Sequence, residues 1–224
     1  MDKHIQEVRE FKRTLVFTGA LRAAHWLRAA AITVLLISGF YLAWPFLVAP
    51  ENSDVLVQGW IRFGHLIAGF LLCAVTAVRT YLFFFSRYDV ERRSVRDLFS
   101  LKSWIAQLKS YFWIGQLKKA GVYGPLQLLV YTGIAVASIF ICITGLTLYA
   151  QVYHLGMGGM LSDFAAWITS VMGGLASVRL WHHYVAWVFI VFLVLHIYMA
   201  VWTGIRFKHN SVEVIVSGYD YHRH

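Results

Sequence analysis

Residues 181–205 read WHHYVAWVFIVFLVLHIYMAVWTGI, an apolar run whose only ionisable side chains of ordinary basicity are His182, His183 and His196. A stretch longer than ~18 apolar residues is long enough to cross a bilayer, and a histidine inside one is expensive enough to count as a functional-site hypothesis. His182 and His196 lie fourteen residues apart, which at ~100° and ~1.5 Å per residue is about 40° short of four turns and about 21 Å of rise. Both point to one helix face, at two depths.

Working outward, apolar residues make up 59% and charged residues 14% of the 224 positions, a membrane composition. Four spans are expected, at 23–46, 61–85, 126–151 and 181–205, in one domain covering 1–224. The fold class is an all-α integral membrane four-helix bundle. The first span is not a cleaved signal peptide, because its leading stretch is long and charged and its apolar run is too long. Basic residues collect before span one (Lys12, Arg13, Arg22), in the loop from Arg87 to Lys119, and after span four (Arg206, Lys208), whereas the other side carries only Arg62 and Arg179. Basic loops are cytoplasmic, so both termini are expected inside. The net charge of +9 is mostly this signature; without a nucleic-acid motif it does not point to DNA or RNA.

The loops add detail. Leu98, Leu101, Ile105, Leu108 and Phe112 recur at helical spacing, so an amphipathic helix over about 98–118 is expected to lie on the cytoplasmic lipid surface. The outer connection, 152–180, holds an apolar stretch from Leu161 to Met172 that reads equally as a docking surface or as a helix resting in the headgroups. Trp44, Trp60, Trp181 and Trp202 sit near span ends as aromatic anchors. Internal repetition is limited to an echo of Ile37-Ser38-Gly39 in Ile143-Thr144-Gly145.

Placed by depth, the intramembrane histidines sort into an outer pair, His65 with His182, and an inner pair, His25 with His196. Each pair can supply two axial imidazoles to the iron of a b-type haem between helices; zinc or copper would want three or four ligands at one depth. Gly39 shares the His25 face and reaches the outer pair, where a missing side chain leaves room for a porphyrin edge, and Gly69 lies one turn past His65. Arg79, fourteen residues after His65, falls near the inner pair, as partner of a haem propionate or the quinone region, or snorkelling to the surface. His183 points about 140° away from His196, which makes His182 the better ligand. Cys73 and Cys142 lack a Cys-x-x-Cys-His context, so covalent haem attachment is excluded.

Arg22-Ala-Ala-His25-Trp26, Trp60-Ile-Arg62-Phe-Gly-His65, Trp181-His182 with His196-Ile-Tyr198-Met199-Ala200, and the tail Ser211 to Tyr219 together resemble the cytochrome b subunit of membrane-bound nickel–iron uptake hydrogenases, in order and spacing over nearly the whole chain. A looser similarity is to the haem subunit of respiratory formate dehydrogenases. The resemblance implies two haems b, ligated by His25 with His196 and by His65 with His182, in a bacterial inner membrane. It implies hydrogenase small and large subunits on the periplasmic side as electron donors and a quinone reduced near the cytoplasm, with no hydrogen-splitting site in this chain. The family's turn into span three tends to carry Asn-Pro and then Gln, whereas here it reads Gly124-Pro125-Leu126-Gln127. Gln127 and Tyr123 are therefore the quinone-site candidates, with capping or interfacial roles as their alternatives. A different quinone-linked dehydrogenase, or a histidine-based proton or metal transporter, are the rival functions; the latter would show broken helices or repeat symmetry at mid-membrane.

Overall fold

The computed structural model describes residues 11–46, 56–85, 99–111, 124–207 and 211–223. Four long helices dominate it: α1 (Gly19–Ala43), α2 (Val57–Phe85), α4 (Pro125–Ala150) and α7 (Leu175–Phe207). Short elements lie between and after them, namely α3 (Leu101–Tyr111), α5 (Met157–Met160), α6 (Ser162–Val171) and α8 (Ser211–Ser217). Each long helix contains a window apolar enough to cross a membrane, and at most 22% of any such window is buried inside the protein. A helix apolar on all sides yet scarcely covered by protein needs lipid around it.

Local signals set the ends. Thr18 caps α1, its hydroxyl accepting from the Leu21 amide at 3.4 Å; Pro45 follows just after the helix and blocks its continuation. Pro125 opens α4 at the first helical position, where its missing N–H costs nothing. The helices outrun the apolar runs: α7 has 33 residues, ~50 Å against a hydrocarbon core of ~30 Å. Apolarity marks only the part of a helix in hydrocarbon, while backbone hydrogen bonding carries it on into the headgroups.

The bundle is two hairpins: α1 packs on α2, α4 packs on α7, α2 joins them through α4, and α1 touches α7 only slightly. The buried seams are rich in small and hydroxyl residues, among them Ala31 and Ser38 on α1, Ala68 and Thr76 on α2, and Ser138, Thr144 and Thr147 on α4. Small side chains let helix backbones approach when lipid supplies no hydrophobic drive. On the outer side α6 lies against α4 and leaves Trp167 and Val171 exposed.

Two features lie beyond the sequence reading. First, strands β1 (Phe11–Leu15) and β2 (Tyr219–Arg223) pair antiparallel, Phe11 with Arg223 and Leu15 with Tyr219, so the all-helical expectation needs this small ribbon added. A two-stranded ribbon is marginal by itself, and here it is fastened to the bundle. The Val16 and Phe17 amides both donate to the Gly218 carbonyl, at 2.9 and 3.1 Å, and Arg22 on α1 donates to the Val216 carbonyl at the end of α8. Gly218 has φ +87°, and a Cβ there would meet the Phe17 oxygen at 2.7 Å, so only glycine fits.

Second, the interfacial helix is anchored by a polar residue. The described part of the expected 98–118 helix is α3; 112–118 lies outside the described residues. Leu101, Ile105 and Leu108 face outward, while Gln107 is 2% exposed and its Oε1 accepts from the Leu126 amide at 2.8 Å. That amide belongs to the first turn of α4, whose N–H groups have no intrahelical partner. The helix thus turns its apolar side outward and its amide to the bundle.

Candidate haem centres

His25 lies in the first half of α1 and His196 in the second half of α7, and the structure brings them together with ring centroids 6.3 Å apart. Metal–imidazole bonds are ~2.0–2.1 Å and a ring centre lies about 1 Å behind its nitrogen, so two imidazoles on opposite sides of one metal place their centroids about 6 Å apart. The observed separation fits that arrangement. His25 Nδ1 is buried without a hydrogen-bond partner. Aromatic neighbours wall the pair: Phe192 stacks on His196 at 5.2 Å, Tyr131 of α4 approaches it at 6.2 Å, and Trp26 meets His25 edge-on at 5.2 Å.

His65 lies on α2 and His182 on α7, helices that are not neighbours in the ring of four. Each is held by a hydroxyl from the adjacent helix of its own hairpin. Ser38 Oγ lies 2.8 Å from His65 Nδ1, and Thr144 Oγ1 lies 2.9 Å from His182 Nδ1. The residue after each hydroxyl is glycine, and both contacts are equally tight: a Cβ at Gly39 would meet His65 Cε1 at 3.3 Å, and one at Gly145 would meet His182 Cε1 at 3.3 Å. The echo between Ile37-Ser38-Gly39 and Ile143-Thr144-Gly145 is therefore a pair of matching histidine cradles. In the same sequence register, His25 falls opposite Tyr131 and Arg79 opposite His196, so the duplication of outer-level residues stops at the inner level.

Among the other candidates, Gly69 faces Leu35, whose Cδ2 would lie 3.9 Å from an added Cβ; that is ordinary packing between α1 and α2. His183 packs its ring on Phe40 of α1 at 5.9 Å. Arg79 is half-buried on α2. Gln127 accepts the Gly124 amide at 3.2 Å, a helix-start contact that occupies its carbonyl oxygen and leaves its Nε2 hydrogens as possible donors to a ligand. Tyr123 lies outside the described residues. Gly124 lies against Gln107, since a Cβ at Gly124 would fall 2.8 Å from Gln107 Nε2. Among the described residues no three or more His, Cys, Asp or Glu side chains gather as a metal-binding group, and Cys73 and Cys142 are free thiols.

The profile of prokaryotic cytochrome b561 matches residues 16–218. The chain belongs to that family. It is a multi-pass protein of the bacterial inner membrane, and the family's cofactor is haem b. Curated relatives include a probable Ni/Fe-hydrogenase B-type cytochrome subunit of Azotobacter chroococcum mcd 1, 28% identical over 96% of this chain and 91% of the relative. The subunit of the same description from Rhodobacter capsulatus is 27% identical over 96% and 84%. The probable Ni/Fe-hydrogenase 1 B-type cytochrome subunit of Escherichia coli (strain K12) is 25% identical over 93% and 91%. Sequence reasoning alone passed over three side chains of this cytochrome that the site uses or leans on: Ser38, Thr144 and Gln107. The tripeptide echo was the available signal for the first two, and Gln107 left none.

Proposed function

We infer that this cytochrome is the di-haem membrane subunit of a respiratory Ni/Fe hydrogenase, carrying electrons from hydrogen-oxidising subunits on the periplasmic side to a quinone reduced near the cytoplasmic side. The observation that carries the reading is the approach of His25 and His196, on different membrane helices, to a centroid separation that fits two imidazoles on one metal. Two haems b held at these levels supply one-electron carriers that take up no proton on the way. His65 and His182 hold the outer group and His25 and His196 the inner one, while the apolar helices exclude water from both. Relatives described as hydrogenase B-type cytochrome subunits support the choice of partner, and the basic loops support cytoplasmic termini. The unbroken course of α7 through both levels gives no support to a transporter, whose sites use interrupted helices.

Purification of the full complex from membranes tests this. Two b-type haems per chain, both reduced when hydrogen is admitted, are expected; a folded, colourless chain overturns the reading, and copurification with formate-oxidising subunits reassigns the donor.

Arg79 gives a second test. Beside the inner group its guanidinium favours the added negative charge of the reduced state, so Arg79→Leu is expected to lower the inner midpoint potential, with Arg79→Lys restoring part of it. Redox titration of the assembled variant reads this directly. An unchanged potential places the guanidinium at the lipid surface.

A further inference from the structure

The hydroxyls of Ser38 and Thr144 each have one hydrogen, claimed both by helix carbonyls and by an imidazole nitrogen. Ser38 Oγ lies 2.6 Å from the Val34 carbonyl oxygen and 2.8 Å from His65 Nδ1. Thr144 Oγ1 lies 3.1 Å from the carbonyls of Phe140 and Ile141 and 2.9 Å from His182 Nδ1. A carbonyl oxygen can only accept, so an oxygen this close to it must point its hydrogen there, in the back-bond common to Ser and Thr within helices. The hydroxyl oxygen is then left as an acceptor towards the imidazole. With the hydroxyl hydrogen on the carbonyl, the oxygen accepts from an Nδ1–H, and that tautomer leaves Nε2 with its lone pair to bind a metal.

We propose that Ser38 and Thr144 are paired positioning residues for the outer haem: each accepts the Nδ1–H of the axial histidine across its hairpin, fixing tautomer and ring orientation and lowering the potential of that centre. The inference rests on His65 and His182 being the ligands. Its physical basis is that an imidazole donating its second N–H becomes a more basic ligand, and a more electron-rich ligand favours ferric iron over ferrous. Gly39 and Gly145 complete the device, since each follows its hydroxyl by one residue and lets the ring lie against the helix backbone. His25 has no such help, for its Nδ1 is buried without a partner. The two centres therefore differ in what stands behind their ligands.

The test is redox titration of the purified full-length protein with spectral resolution of the two haems. Ser38→Ala and Thr144→Val each remove one hydrogen bond and retain approximate volume. Each is expected to shift the ferric/ferrous equilibrium of the outer haem about fivefold towards ferrous, for a net hydrogen bond of ~1 kcal/mol, or about 40 mV upward at ~59 mV per decade for one electron. The double variant should shift further, and the inner haem should not move. Ser38→Thr and Thr144→Ser should keep the original potential. Ser138 makes the same back-bond, at 2.7 Å to the Ile134 carbonyl, without reaching a histidine, so Ser138→Ala should leave both potentials in place. Unshifted potentials in variants that retain both haems overturn the proposal, as does an equal shift at the inner haem or in Ser138→Ala. If Ser38→Ala loses the outer haem, retention in Ser38→Thr supports the positioning role and loss in both overturns it. Absence of an outer haem from the unaltered protein overturns the ligand reading itself, a result distinct from all of these.

Discussion

Alanine at His65 or His182 is expected to halve the haem content of the complex, removing the outer haem and sparing the inner one, whereas alanine at His25 or His196 does the reverse. The pairs lie about 21 Å apart along α7, and no ligand is shared between them. The electron-transfer consequences are opposite. With the inner haem gone, hydrogen still reduces the outer one while quinone reduction is lost; with the outer haem gone, neither the inner haem nor quinone is reduced by hydrogen. Pyridine haemochrome quantification and spectra under hydrogen read both outcomes. His183→Ala should keep two haems, because that ring lies on Phe40 at 5.9 Å. Two haems remaining in the double variant His65→Ala/His182→Ala would remove the basis for the outer assignment.

Side chains added at the two cradle glycines should act almost as strongly. The space beyond Gly145 is limited by His182 Cε1, 3.3 Å from where a Cβ would sit, so Gly145→Ala requires the ring to yield by a few tenths of an ångström and Gly145→Leu requires it to leave. Overpacking of this kind costs ~1–3 kcal/mol, roughly a 5- to 150-fold weaker hold on the outer haem for the leucine variant at ~1.4 kcal/mol per decade. Gly39→Leu should match it through His65. Gly69→Ala is the contrast, since its Cβ would lie 3.9 Å from Leu35, and both haems should stay. Haem retention through detergent washing ranks the series, and Gly145→Leu binding the outer haem as firmly as the unaltered protein would show that the ring is free to move.

The structure assigns reasons to sequence features that were visible without being interpretable. Ile37-Ser38-Gly39 and Ile143-Thr144-Gly145 could be seen to repeat, but that each hydroxyl meets a histidine on the next helix depends on how α1 packs against α2 and α4 against α7. Gly124 was visible before Pro125; what lies against it, the Gln107 amide 2.8 Å from a would-be Cβ, comes from a residue seventeen positions away on a helix that reads as merely interfacial. Arg22 and Gly218 sit at opposite ends of the chain in two motifs that carry no sign of each other, and they meet beside the ribbon of β1 and β2. Strands of five residues each, FKRTL and YDYHR, have too little alternation to announce a sheet, and their pairing arises from fastening at Gly218.

The number of spans, the membrane setting and the identity of the four intramembrane histidines followed from the sequence alone, because hydrocarbon imposes one solvent along ~30 Å of helix and makes both apolar length and buried ionisable groups conspicuous in a linear reading. Depth along a helix is likewise a local quantity, a count of residues times a fixed rise, so the separation of His182 from His196 along one helix could be read as well. The tertiary structure decided which partner stands behind each ligand: the Ser38 and Thr144 hydroxyls, the glycine contacts, the Gln107 anchor and the Arg22 clasp. These depend on the rotation and separation of neighbouring helices, which are set by packing between small side chains distant in sequence, and no pattern along one helix contains them.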